Sequence, residues 1–159
     1  MKITCLTVGK VKEKFYTQAI AEFVKRLGKY VKLEIKEVPD EKTPDKAGEK
    51  LEVQIRDTEG LKLLRYIRDT DYVIALAIEG EMPDSVQLAG RIEQLGVCGV
   101  SHIVFVIGGS LGLGSEVLRR ADYKLSFSRM TFPHQLMRVI LLEQIYRCFR
   151  IINGEPYHK

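Results

Sequence analysis

The chain has 159 residues, the length of one ordinary domain, and its 45% hydrophobic and 29% charged residues are the balance of a water-soluble fold with its own core. No apolar run approaches the roughly 18 residues of a membrane span, and the start, MKITCLTVGK, lacks the apolar region of a secretory signal, so the expected location is cytoplasmic with no membrane partner. Net charge is +4 and unevenly placed: residues 119–159 carry 8 basic against 3 acidic side chains while the rest nearly balances, which suggests a polyanionic partner.

Strand and helix patterns alternate along the chain. Ile3 to Val8 reads as a short apolar strand ending at Gly9. Phe15, Ala19, Phe23 and Leu27 then recur every four residues and draw one helix stripe that ends near Gly28. Val31 to Val38 alternates apolar and charged residues, the pattern of a half-exposed strand. After a loop bracketed by Pro39 and Pro44, a charged helical stretch runs from Asp45 to Arg68, with an interruption expected near Gly60. Tyr72 to Ile78 is a continuous apolar run, as expected of a strand covered on both faces. Asp84 or Ser85 can cap a helix to about Leu95.

Ile103 to Ile107 is a second buried strand, followed by the turn G-G-S-L-G-L-G and then Ser115, a cap for a short helix to Ala121. Tyr123 to Phe127 makes the last strand, and Pro133 opens a long helix to about Ile151. Five strands alternating with helices imply a single α/β domain over 1–159, a mostly parallel sheet sandwiched by helices. Cys5, Cys98 and Cys148 are odd in number and widely spaced, so they form neither a disulfide framework nor a metal site and read as small buried hydrophobes.

A strand followed by glycines invites a nucleotide-binding reading, and the two phosphate motifs fail. Gly109 and Gly114 have Walker A spacing, but Ser115-Glu116 follow where lysine is needed. Gly112 and Gly114 begin a dinucleotide fingerprint, but Val117 stands at its third glycine and the turn is not the first of the fold. What remains is either a tight turn or a flat wall against which a planar ligand can lie.

Three segments carry a stronger signal: A-L-A-I-E-G-E at 75–81, F-V-I-G-G-S-L-G-L at 105–113, and L-S-F-S-R-M-T-F-P-H-Q-L-M-R-V-I-L-L-E-Q-I-Y-R at 125–147. With the terminal Pro156-Tyr157-His158, they closely resemble the bacterial large-subunit ribosomal RNA pseudouridine N3-methyltransferase family, small enzymes of the SPOUT type. That resemblance implies a deep trefoil knot formed by about residues 72–159, an exception to the usual topology rules that no periodicity reveals. It implies S-adenosylmethionine as methyl donor, homodimerisation that completes the active site, and large-subunit rRNA within the assembled 70S ribosome as substrate. Carried over by position, the cofactor-binding residues are Leu76, Gly108, Phe127, Ser128, Arg129, Met130, Thr131 and Phe132.

The last helix is apolar nearly all round, from Leu136 to Phe149, which calls either for a partner chain or for deep burial within one subunit. The catalytic expectations fall on few side chains. His134 begins that helix beside the expected cofactor loop. Arg138, one turn later on the same face, has the chemistry to grip a phosphate or an anionic uracil edge. Tyr157 and His158 lie in a polar tail that is either frayed or used for stacking and proton transfer. His102 reads as structural, and Lys10, Lys12 and Lys14 as a solvated loop or a salt-dependent RNA contact. Three rivals remain open: a methyltransferase with another RNA target, a non-catalytic ribosome-binding factor, and a flavodoxin-like nucleotide binder.

Overall fold

The central strands place apolar side chains on alternate sides, and that alternation sets the layers. The computed structural model describes all of residues 1–159. Its strands are β1 (Lys2–Val8), β2 (Lys32–Val38), β3 (Tyr72–Glu81), β4 (His102–Ile107) and β5 (Tyr123–Leu125). Its helices are α1 (Lys14–Leu27), α2 (Glu49–Leu64), α3 (Ser85–Val97), α4 (Ser115–Arg120) and α5 (His134–Ile152). All neighbouring strands are parallel, in the order β2-β1-β4-β3-β5.

One face of the sheet presents Ile3, Cys5, Ile74, Ile103, Phe105 and Ile107 to Leu27 of α1, Leu88 and Ile92 of α3, and Leu141, Leu142 and Ile145 of α5. The other presents Leu6, Val8, Val73, Val104 and Val106 to Leu63 of α2 and Val117 of α4. A buried branched side chain of this kind contributes about 1.5–3 kcal/mol. Successive residues of β4 thus serve two cores, which is why the run I-V-F-V-I has no polar position.

Four sequence expectations are corrected. Helix α2 is shorter than 45–68 and runs unbroken through Gly60; a Cβ there would meet Val117 Cγ2 at 3.1 Å, so the glycine admits α4 rather than breaking the helix. The cap of α4 is Gly114, with Ser115 as its first residue. Strand β5 stops at Leu125, and β3 continues past Ile78 to Glu81 through a bulge, so that Leu125 pairs with both Leu76 and Glu81. Of the cysteines, Cys5 and Cys148 are buried but Cys98 is exposed at the end of α3.

Other expectations hold in detail. Asp84 caps α3, accepting from Gln87 N–H while the Gln87 side chain accepts from Asp84 N–H. His102 is a buried structural residue whose ring bonds Thr4 Oγ1 at 2.8 Å and Asp71 Oδ1 at 2.8 Å.

The topology also prepares a crevice. From β4 the chain returns over the α2/α4 face to β5, on the far side of β3, whereas the β3-to-β4 connection runs over the opposite face through α3. Connections that diverge to opposite faces leave a gap at the carboxyl ends of the strands they leave, the usual ligand position in open α/β sheets.

Candidate active site

A cavity of about 690 Å³ occupies that gap, within the range of sites for cofactor-sized ligands. Three segments wall it: Leu76 to Ile78 from the β3 bulge, Ile107 to Gly112 after β4, and Leu125 to His134 between β5 and α5. Met137 closes it from the first turn of α5.

The glycine segment is a tight turn and a wall at once. Gly112 N–H donates to Gly109 O at 3.1 Å, and Gly112 adopts φ +83°, a conformation that costs other residues. A Cβ on Gly108 would lie 2.5 Å from the Gly112 carbonyl carbon and 2.6 Å from its oxygen. No side chain fits between these two strands of backbone, so peptide planes form the cavity surface. Behind the turn, Glu59 is 5% exposed, accepts from Glu41 N–H at 3.1 Å, and lies against Gly109. Burial pushes the Glu59 carboxyl above its ordinary value.

The opposite wall is held by its own hydroxyls. Ser126 Oγ donates to Ser128 O at 3.0 Å, and Ser128 Oγ accepts from Met130 N–H at 3.0 Å. These bonds fold the loop so that Phe127, Met130, Thr131 and Phe132 line the cavity, with Met130 left largely exposed at its mouth. Besides these hydroxyls, Ser110, Thr131 and His134 are the polar side chains of the lining, and the rest is apolar side chains and backbone, a surface suited to a flat, largely uncharged group.

Seven of the eight residues expected around a cofactor line this one cavity: Leu76, Gly108, Phe127, Ser128, Met130, Thr131 and Phe132. Arg129 is exposed and lies outside the lining. Ala77, Ile78 and Met137 also contribute and were not singled out in the sequence. The bulge that turns 77 and 78 inward leaves no periodic mark, although Gly80 is its trace: a Cβ there would come within 2.7 Å of the Lys124 backbone.

The four expected catalytic side chains separate into three places. His134 lines the cavity, and burial, with the nearby Arg138 charge, lowers its imidazole below the ordinary histidine value, which favours the neutral form. Arg138 is 4% exposed and points away from the cavity. Its Nη1 pairs with Glu37 at 2.7 Å, and its Nη2 donates to Val8 O and Gly9 O, each at 2.8 Å. In this structure it joins α5 to the carboxyl ends of β1 and β2, and its remaining Nε donor is buried without a partner.

Tyr157 and His158 lie on the other part of α5. Tyr157 donates to Glu143 Oε1 at 3.2 Å, stacks edge-on against Tyr146, and lies under the Arg147 guanidinium, which also reaches His158 Nδ1 at 3.3 Å. The tail is therefore docked on its own helix rather than frayed. Ten residues separate Met137 in the cavity wall from Arg147, a rise of about 15 Å along the helix. Within one chain the tail does not reach the cavity.

Helix α5 buries Leu141, Leu142, Ile145, Tyr146 and Cys148 in the subunit core. Leu136, Val139, Ile140 and Phe149 remain half-buried, so the subunit covers the helix on one side more than the other.

Comparison with known proteins places these features in a family. A family described as "Predicted SPOUT methyltransferase" matches residues 1–158. The chain is 64% identical over its full 159 residues, and over all of the relative, to a ribosomal RNA large subunit methyltransferase H of Bifidobacterium adolescentis. It is 59% identical, again end to end, to ribosomal RNA large subunit methyltransferase H 1 of Clostridium perfringens. Among solved structures, a methylase-family protein of Haemophilus influenzae shares the fold at a TM-score of 0.55 and 15% identity, covering 99% of this chain and 70% of that one. A Legionella pneumophila methyltransferase, solved with bound SAM, matches at 0.52 and 10%, covering 96% and 66%.

Proposed function

Because the chain belongs to the SPOUT methyltransferase family and is a methyltransferase, we propose that it transfers methyl from S-adenosylmethionine to N3 of a pseudouridine in large-subunit rRNA, on the assembled 70S ribosome in the cytoplasm. The observation that carries the reading is the 690 Å³ cleft at the strand ends, walled by glycine backbone and by the 125–134 loop. Full-length identity to curated large-subunit rRNA methyltransferases supports the substrate class. No helix is long and apolar enough to cross a membrane.

The cleft fits the donor on its own chemistry. Backbone at Gly108 to Gly112 offers N–H and C=O groups along a planar surface for an adenine edge, and Phe127, Met130 and Phe132 supply apolar cover. S-adenosylmethionine, when bound, supplies a sulfonium methyl that moves to N3 by in-line displacement, the N3–C bond forming as the S–C bond breaks and the N3 proton leaving. The residues of this chain position, exclude water and handle that proton. Holding the partners in line can account for about 7–11 kcal/mol of the barrier. His134, on the cavity wall with its neutral form favoured, is the side chain within one chain best suited to accept the proton.

The tail enters through a partner chain in this reading. Tyr157 and His158 are held about 15 Å along α5 from their own cavity, while the same helix leaves Leu136, Val139 and Ile140 half-covered. A homodimer that pairs these α5 faces would cover them and bring each tail toward the other cleft. Threading of residues 72–159 into a trefoil knot belongs to the same proposal, and the three separate segments that meet at the cleft support it.

The test uses methyl-labelled S-adenosylmethionine with unmodified bacterial 70S ribosomes and with free rRNA. Label in N3-methylpseudouridine, appearing only with 70S particles, is the expected result. Cofactor binding without any label in rRNA would discard the substrate. Label in RNA lacking pseudouridine would favour a different target for the same chemistry.

A further inference from the structure

Sequence counting places the positive excess in the last quarter of the chain, but the structure redistributes it. Arg119 pairs with Glu116, Arg120 with Asp122, Arg138 with Glu37, Arg147 with Glu143 and Arg150 with Glu155. Only Lys124, Arg129 and Lys159 of that region's eight basic residues are unpaired. Lys10, Lys12 and Lys14 form no ion pair either, and all three are exposed.

The segment that carries them is held in one shape. Gly9 N–H donates to Val38 O at 2.8 Å, and Gly9 turns the chain at φ +81°. Arg138 Nη2 takes both Val8 O and Gly9 O, Val11 N–H donates to Glu37 Oε2 at 3.3 Å, and Lys12 N–H donates to Gln135 Oε1 at 3.0 Å. Residues 8, 9, 11 and 12 are thus tied through their backbones to β2 and to the first turn of α5. That turn also carries His134 and Met137, which line the cleft. An ordinary solvated loop has no need of four such anchors.

We infer that the β1–α1 segment is a rigid phosphate-contacting rail for the RNA substrate, with Lys10, Lys12 and Lys14 gripping the backbone beside the cleft and Arg138 as the positioning residue beneath them. This inference rests on the reading of the protein as an RNA methyltransferase. Unpaired lysines avoid the cost of breaking an internal salt bridge when they meet phosphate, and a fixed backbone lowers the ordering entropy of that meeting. Glu13 on the segment and Asp40 against Gly9 are the acidic groups that face it, and Glu37 is already engaged by Arg138. Arg129, exposed on the loop that forms the cleft's other wall, supplies positive charge on the far side of the mouth.

The experiment compares the wild type with K10A/K12A/K14A and K10R/K12R/K14R on 70S ribosomes over a range of potassium chloride concentrations. Each lost phosphate contact should flatten the log–log dependence of kcat/KM on salt by about 0.7–0.9. The alanine variant should therefore lose about two units of slope, with KM for ribosomes raised at least tenfold at low salt and S-adenosylmethionine affinity and melting temperature unchanged. The arginine variant should keep the wild-type slope. An alanine variant with wild-type slope and KM overturns the rail while leaving the methyltransferase reading intact. A wild type that binds cofactor yet methylates no RNA removes the reading beneath it, and the rail with it.

Discussion

Replacing Arg138 by alanine distinguishes two roles that the sequence alone could not separate. The side chain is 4% exposed and its guanidinium makes three charge-assisted bonds, to Glu37 at 2.7 Å and to Val8 O and Gly9 O at 2.8 Å. Removing it leaves two carbonyls at the end of a buried strand without their donor, and a carboxylate without its counter-charge. Removing one partner of a fully buried pair costs about 3–5 kcal/mol. Glu37 is 37% exposed and can rehydrate, which favours the lower end, about 3 kcal/mol.

For a domain of this size 1 kcal/mol corresponds to about 2–4 °C, so the melting temperature should fall by roughly 6–12 °C. Thermal unfolding at fixed protein concentration measures this, since in the proposed homodimer stability would depend on concentration. Glu37→Gln keeps an acceptor for both Arg138 and Val11 and should cost about 1 kcal/mol. An Arg138→Ala protein that melts within about 2 °C of wild type, a shift of under 1 kcal/mol, but has lost transfer would refute this reasoning and return Arg138 to the substrate.

Gly108→Ala should weaken S-adenosylmethionine binding at least tenfold and destabilise the fold by about 1–3 kcal/mol, since its Cβ meets Gly112 backbone. Gly90→Ala in α3, where nothing lies within 4 Å, should stabilise it by up to about 1 kcal/mol; calorimetric titration and melting curves read both. Deleting Tyr157 to Lys159 should leave assembly intact and lower turnover by about 10²-fold or more. Mixing that truncation with Gly108→Ala chains should restore about a quarter of wild-type turnover if the tail serves the partner's cleft, because each mixed C₂ dimer then holds one intact composite site; no recovery would put the tail to work in its own subunit. For His134 the native imidazole sits below its ordinary value, so the unfolded chain binds the proton more readily. Stability linked to His134 is complete above about pH 6.5 and is lost as pH falls; melts from pH 7 to 5 should decline more steeply for wild type than for His134→Gln.

The layers of the fold were legible because burial leaves a period in the sequence, and the site was legible only where backbone geometry forces a residue type. The runs at 72–78 and 103–107 announce buried strands, and Asp84 or Ser85 announces a helix start, which the structure assigns to Asp84. Gly108 and Gly112 mark the wall for the same local reason. Ala77 and Ile78 enter the cleft through a bulge set by pairing of Leu125 with both Leu76 and Glu81, a long-range event that no window of sequence contains. Gly60 illustrates the converse: glycine in a helix reads as a break, yet here it makes room for Val117, 57 residues away. Charge is legible least of all. The arginines that tilt the composition toward a polyanion are consumed by Glu37, Glu116, Asp122, Glu143 and Glu155. A lysine keeps its charge for a partner only where the fold supplies no carboxylate, and that is decided by which loops the topology brings to the same edge. Lys12 and Gln135 are 123 residues apart in sequence and 3.0 Å apart in space. The chain's unpaired surface charge is therefore a property of its crossovers more than of its composition.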